Sequence, residues 1–163
     1  MEGTGAPQEP PNPCPQCGRW KNPSTTSDSI VVKMIDGKEH ILLIERGREP
    51  FKGELACPGG FIDYDEDPAD AALRELEEEC GIKGYETHLI CAPGKKGRDP
   101  RKHVITLVFF VKVPEDAEVK AGDDAASAKW YPLDEILAKD RIAFDHLDNI
   151  KIFIEKRKKG HFD

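Results

Sequence analysis

An α/β fold with a mixed sheet between helical layers is predicted from three observations. Strand-like runs lie both before and after one amphipathic helix over residues 68–80. A second amphipathic helix closes the chain. The intervening apolar stretches are short and bounded by Gly, Pro, Asp and Asn. Strands on both sides of a helix, followed by a terminal helix, are most simply buried by layering helices on a sheet. The 163 residues suffice for one domain with a sizeable core.

The elements follow in order. Residues 1–23 hold little apolar material, and four of the thirteen prolines fall in residues 1–13. This segment is expected to be a flexible arm carrying one CxxC, with the folded domain over 24–163. Ile30 to Ile35, Asp36-Gly37, then His40 to Ile44 reads as a hairpin with a glycine-containing turn. Arg46 to Gly53 is a polar loop, and Leu55 to Cys57 a short strand leading into Pro58-Gly59-Gly60. Tyr85 to Ala92 is the next strand, and residues 93–102 form a loop rich in Gly, Pro and Arg. Val104 to Val113 is the longest apolar run and the expected central strand. Ala128 to Tyr131 is the last strand, with a short helix after Pro132. Asp145 is expected to open the final helix, with Leu147, Ile150, Phe153 and Ile154 on its buried side.

The helix over 68–80 carries the chemistry. Asp67 is a good N-cap, Pro68 suits the first helical position, and Gly81 suits the residue past the end. Ala72, Leu73, Leu76 and Cys80 share one face. Glu75, Glu78 and Glu79 fall on the neighbouring face at i, i+3 and i+4. Carboxylates stacked in this way repel one another. A bound Mg²⁺ or Mn²⁺ would account for them, since hard cations prefer oxygen ligands. A solvated acidic face is the plain alternative.

Residues 60–82 also fit, without a gap, the pattern G-x5-E-x7-R-E-U-x-E-E-x-G-U, where U is a bulky aliphatic: Gly60, Glu66, Arg74, Glu75, Leu76, Glu78, Glu79, Gly81 and Ile82 fill it. This is the Nudix box, and the chain resembles the Nudix hydrolases. The resemblance implies a Nudix α/β/α sandwich and hydrolysis of a nucleoside diphosphate linked to another group. It implies Glu75, Glu78 and Glu79 as ligands of Mg²⁺, with Glu75 alternatively orienting or deprotonating the attacking water. It maps a carbonyl ligand to Gly59, where a tight turn is the alternative reading. Arg74 is expected to pair with a box glutamate and hold its rotamer, and Glu66 to be structural.

Features outside the box resemble ADP-ribose pyrophosphatases: Pro50 to Tyr64 entering the box, the loop Gly97 to Ile105, and Ala143-Phe144-Asp145-His146 before the last helix. Cys57 and Lys102 depart from the residues usual there. The implied substrate is ADP-ribose, a small-molecule nucleotide. Another Nudix pyrophosphatase, or a non-catalytic ADP-ribose sensor, are the alternatives. Arg46, Arg48, Lys52, Arg98 and Arg101 flank the site, and Arg46, Arg98 and Arg101 are the candidate substrate contacts, since guanidinium suits phosphate. Asp123 and Asp124 are candidates for a remote carboxylate. Dimers are common in this resemblance, and the sequence leaves a homodimer open.

Net charge is −7, which argues against a general nucleic-acid binder. The absence of a run of ~18 apolar residues argues against a membrane span, and no signal-peptide core is evident in residues 1–13, so a cytoplasmic enzyme is expected. Five cysteines, at 14, 17, 57, 80 and 91, do not suggest a disulfide framework. Cys14-Pro-Gln-Cys17-Gly18 has the shape of a zinc knuckle, but a closed site needs four ligands. A vestigial knuckle is the first expectation. Zinc completed by distant cysteines or by another subunit is the second.

Overall fold

The computed structural model describes residues 12–120 and 127–163. Along them run β1 (Ser24–Ile30), β2 (Val32–Ile35), β3 (Lys38–Glu45), β4 (Leu55–Ala56), β5 (Gly59–Phe61), α1 (Pro68–Cys80), β6 (Glu86–Cys91), β7 (Val104–Lys112), β8 (Ala128–Pro132), α2 (Leu133–Leu137) and α3 (His146–Lys158). One sheet has the order β5-β1-β7-β6. It is mixed, because β1 pairs parallel with β7 while β5 and β6 join antiparallel. The second sheet is antiparallel: β3 pairs with β2, β4 and β8.

β1 begins earlier than expected, at Ser24 rather than near Ser29. The stretch Ser24-Thr-Thr-Ser-Asp-Ser has no apolar alternation, so period-two reasoning passes over it. Its side chains are buried by hydrogen bonding. Ser27 donates to the Pro68 carbonyl at 2.7 Å and Ser29 to the Ala72 carbonyl at 3.3 Å, both from wholly buried positions. Those carbonyls belong to α1, so the hydroxyls seat the helix on the sheet. Only Val31 separates β1 from β2, and its carbonyl accepts the Leu42 N–H at 2.9 Å. One extended run therefore passes from the first sheet into the second. The β2–β3 turn is closed by Asp36 and Gly37, both at positive φ, as a two-residue hairpin of right-handed strands requires.

Two cores lie on opposite faces of the strands. Ala72, Leu76 and Cys80 of α1 meet Val31, Leu42, Phe109 and Val111 on one side. Ile150 and Phe153 of α3 meet Ile30, Ile41, Leu43 and Val108 on the other. β7 sends Val108 and Phe110 toward α3, and Phe109 and Val111 toward α1. A strand buried on both faces reads as a continuous apolar run, and that explains residues 104–113. The architecture is the α/β/α sandwich with a mixed sheet. Among the described residues, no helix is long and apolar enough to cross a membrane.

Candidate active site

A cavity of about 510 Å³ opens beside α1, at the junction of β1, β5, the loop after β3, the 94–103 loop and the start of α3. Glu75 and Glu79 line it. α1 presents them there because its ends are well defined. The Asp67 side chain accepts the Ala69 N–H at 2.8 Å, Pro68 occupies the first turn, and Gly81 closes the helix at φ 67 with its N–H on the Glu77 carbonyl. With Leu76 and Cys80 fixed in the core, Glu75 and Glu79 face β5.

β5 packs closely on β1 through Gly59 and on the Glu75 side chain of α1 through Gly60. A Cβ at Gly60 would lie 2.5 Å from the Glu75 carboxyl carbon, and one at Gly59 would lie 2.1 Å from Asp28 Oδ1. At Gly59 the Ser27 carbonyl oxygen, 2.4 Å from that Cβ, is backbone and cannot give way, so glycine is needed there, whereas at Gly60 the obstacle is the flexible end of Glu75. The Gly59 N–H donates to Glu79 Oε2 at 3.3 Å.

Arg74 organises the acidic helix. It forms a two-pronged bond to Glu66, from Nε at 2.7 Å and Nη2 at 2.9 Å. Nη1 bonds Glu75 at 2.8 Å and Glu78 at 3.2 Å, and Nη2 reaches the Phe61 carbonyl at 3.1 Å. The Arg74 hydrogen bonds hold the Glu66 carboxyl down at about 2. Glu78 departs from expectation. Its side chain is 59% exposed on the outer side of Arg74, and it does not line the cavity. The i, i+3, i+4 pattern places three carboxylates on one broad face, but the Arg74 fork divides that face.

Burial raises Glu75 above the ordinary carboxyl range, against the pull of Arg74. Burial and then repulsion by Glu75 push Glu79 up to about 8. This has a stability consequence. Through the window from ~4.5 to ~8, the unfolded chain releases the Glu79 proton while the folded protein keeps it. The metal-free protein should therefore lose stability as pH rises, by on the order of 2–4 kcal/mol from this group. His146 acts in the opposite sense below its ordinary value, since burial lowers it. The difference between wild type and Glu79→Gln in chelator therefore isolates Glu79. Thermal melting at pH 5 and pH 8 should show the wild type falling relative to the variant. An identical pH response in the two proteins would remove the buried proton from the account.

Arginines line the same cavity, and Arg46 is near enough to Glu79 for each to stabilise the other's charge. Arg46 donates from Nε to the Pro50 carbonyl at 2.7 Å and lies 4.9 Å above the Phe144 ring. Burial, then the nearby Arg101, lowers the Arg46 guanidinium below its ordinary value. Arg101 is held by the buried Asp99, which accepts from its Nε at 3.1 Å and its Nη2 at 2.8 Å. Its guanidinium lies 5.4 Å from the Phe61 ring and 5.8 Å from Phe144, within cation–π range. Arg48 also lines the cavity, whereas Lys52 does not.

Arg98 is placed differently from Arg101. It borders the cavity, but its guanidinium is 6% exposed and forms a two-pronged bond to Asp145, at 2.8 and 2.6 Å. Burial lowers Asp145's tendency to ionise, and the Arg98 bridge more than reverses that. Asp145 therefore clamps the 94–103 loop to the start of α3 instead of capping the helix with its side chain. Asp123 and Asp124 lie outside the described residues.

Cys14 and Cys17 sit in a turn in which the Gly18 N–H donates to the Cys14 carbonyl at 2.8 Å, away from the cavity. Among the described residues no cluster of three or more His, Cys, Asp or Glu side chains is arranged to hold a metal unaided.

Sequence reasoning left out Asp28, Asp99, Phe144 and His146 as site residues. All four line the cavity. Asp28 carries no local signal, since it sits in a polar stretch that does not read as a strand. Phe144 and His146 belong to the stretch Ala143 to His146, noted only as a resemblance.

Comparison with known proteins shows the family and the fold. The NUDIX domain family model matches residues 25–151. The chain is 40% identical over 135 residues to the ADP-ribose pyrophosphatase of Methanocaldococcus jannaschii, spanning 83% of this chain and 75% of that protein. It is 31% identical over 131 residues to the ADPR responsive transcriptional repressor NtrR of Acinetobacter baylyi, spanning 79% of this chain but only 52% of the repressor. The NUDIX domain of Shewanella oneidensis NrtR, solved in complex with ADP ribose, superposes with a TM-score of 0.76 at 29% identity, covering 84% of this chain and 90% of that one.

Proposed function

The chain belongs to the NUDIX domain family, and we propose that within it this protein hydrolyses ADP-ribose to AMP and ribose 5-phosphate with Mg²⁺ or Mn²⁺. The observation that carries the reading is the cavity that the half-buried carboxylates Glu75 and Glu79 share with Arg46 and Arg101, both set against Phe144. The 40% identity to an ADP-ribose pyrophosphatase supports the choice of substrate.

The two carboxylates fit a divalent cation. Glu79 is so destabilised as an anion by burial and by Glu75 that it rises to about 8, and such a pair is relieved by a hard cation. Mg²⁺ keeps several waters of its own, so two carboxylates and one backbone carbonyl, with Gly59 as the proposed donor, form an adequate set. Glu78 is proposed to act only through its bond to Arg74. When bound, the cation neutralises diphosphate oxygens and lowers the pKa of a coordinated water.

The chain's own residues do the rest. Arg74 fixes the Glu75 rotamer. The Gly59 N–H orients Glu79. Phe144 and Asp99 hold Arg46 and Arg101 rigidly, so that their remaining N–H groups meet phosphate or ribose oxygens without reorganising. Incubation with Mg²⁺ and a panel of ADP-ribose, sugar nucleotides, NADH, dinucleoside polyphosphates and nucleoside triphosphates tests the reading. ADP-ribose should give the highest kcat/KM, with AMP and ribose 5-phosphate as products. A better dinucleoside polyphosphate or triphosphate would leave only the Nudix hydrolase class.

Arg101→Ala should lower kcat/KM for ADP-ribose roughly ten- to a hundred-fold, the loss of one charge-assisted contact of ~1.5–3 kcal/mol. A nucleoside triphosphate, which lacks the distal ribose, should lose less. Equal losses would make Arg101 a general phosphate contact.

A second reading, an ADP-ribose sensor without turnover, is favoured by the likeness to the NtrR repressor. Glu75 and Glu79 in the cavity wall, with Arg74 bonded to Glu75, weigh against it. Tight binding of ADP-ribose with no product at any Mg²⁺ concentration would establish it.

A further inference from the structure

Asp28 and His146 meet at the cavity floor and have no part in the chemistry described so far. They are 7% and 5% exposed, and both line the cavity. Asp28 lies in β1 opposite Gly59, and His146 in the first turn of α3. Each has one polar atom engaged by the protein. Asp28 Oδ2 accepts the Thr106 hydroxyl at 2.5 Å, and His146 Nδ1 accepts the Cys57 backbone N–H at 3.0 Å. A backbone N–H can only donate, so Nδ1 is bare and the neutral ring carries its proton on Nε2.

The remaining atoms are unmatched. The Nε2 proton faces Asp28 Oδ2 at 3.6 Å, which is too long for a hydrogen bond. Among the described residues, no protein side chain donates to Asp28 Oδ1. Neither atom is sealed off, since the described buried side-chain atoms without a partner are Glu54 Oε2 and Trp130 Nε1, so a ligand or water in the cavity can complete both.

We propose that the Asp28 carboxylate and the His146 Nε2–H recognise hydroxyl groups of a ribose ring attached to the diphosphate. The proposal rests on the nucleoside-diphosphate reading above. A sugar hydroxyl donates and accepts at once, so one hydroxyl can satisfy the acceptor Asp28 and the donor His146. A phosphate group would be repelled by the carboxylate. A metal ion would need the Nε2 lone pair that the proton occupies. The position fits as well. Asp28 Oδ1 packs on Gly59, whose N–H bonds Glu79, so the pair borders the carboxylates of α1. The group that adjoins the diphosphate on either side in ADP-ribose is a ribose.

The test is binding in chelator, where no turnover occurs. Calorimetry would compare ADP with 2′,3′-dideoxy-ADP, and ribose 5-phosphate with its 2,3-dideoxy congener, on the full chain and on two variants. Asp28→Asn keeps an oxygen for Thr106 but turns an N–H toward the cavity. His146→Asn keeps an acceptor near the Nδ1 position and removes the Nε2 donor. Wild type should prefer the hydroxylated ligand at least ~10-fold in one pair, since a site built for a hydroxyl rejects the analogue lacking it. Both variants should lose that preference while melting as folded proteins.

Preference in the ADP pair assigns the nucleoside ribose, and preference in the sugar phosphate pair assigns the distal one. Equal binding in both pairs by wild type, or a preference retained in a folded variant, overturns the proposal. Turnover with Mg²⁺ is scored separately. A wild type that prefers the ribose ligands yet hydrolyses no ADP-ribose keeps the hydroxyl site and loses the pyrophosphatase reading.

Discussion

Glu79→Gln should lower turnover of ADP-ribose by at least ~100-fold at saturating Mg²⁺, a loss of ~2.7 kcal/mol in transition-state stabilisation. Glu79 is the carboxylate that burial and Glu75 together make hardest to ionise, and it is held against the Gly59 N–H at the edge of the cavity. The amide is nearly isosteric, so α1 should stay seated through Leu76 and Cys80. The metal-free variant should even gain stability near pH 8, where wild type must either carry a proton on Glu79 or tolerate two neighbouring anions. Glu78→Gln is the matched control. Its outward side chain and its bond to Arg74 predict a loss below about tenfold. Full activity of Glu79→Gln, or equal losses at 78 and 79, would sink the division of the acidic face drawn above.

Arg98→Met should destabilise the fold by ~2–4 kcal/mol, because it leaves Asp145 half-buried with its charge unpaired. The melting temperature should fall by roughly 5–15 °C for a domain of this size. Arg98 donates two short hydrogen bonds to Asp145 and is itself almost fully covered, so little of its guanidinium is left for substrate. Asp145→Asn in the same chain should recover part of the stability by removing the orphaned charge. Measured on folded protein, kcat at saturating ADP-ribose should change little beside the change in melting. An unchanged melting temperature with a large rise in KM would return Arg98 to the role of phosphate contact that its sequence position suggests.

The two arginines of the 94–103 loop show where sequence reading stops. Arg98 and Arg101 are three residues apart, alike in type, and both flank the box. Burial separates them. Arg98 turns inward to Asp145, forty-seven residues away in sequence, while Asp99 turns Arg101 toward Phe61 and Phe144. Pairings at that sequence distance leave no local trace. The division between Glu78 and Glu79 has the same origin, because helical spacing gives an angle about the axis but not the place where Arg74 and β5 cut across it.

Much else was legible. The caps of α1, its apolar stripe, the two-residue turn at Asp36-Gly37 and the doubly buried β7 follow from local stereochemistry and from short-range periodicity. These signals are strong because capping, turn geometry and strand burial each demand particular residue types at particular offsets. The box, by its density of fixed positions, is enough to identify the family from sequence.

By itself, then, the sequence determined the fold class, the acidic helix and the glycines beside it, since each is written in contiguous residues. The tertiary structure alone decided which carboxylates face the cavity, which arginine stays exposed, and that Asp28 from β1 meets His146 from α3. Those outcomes depend on groups far apart in the chain competing for the same partners in a low-dielectric interior. There an unpaired polar atom is costly, and partner choice follows the packing of the whole domain.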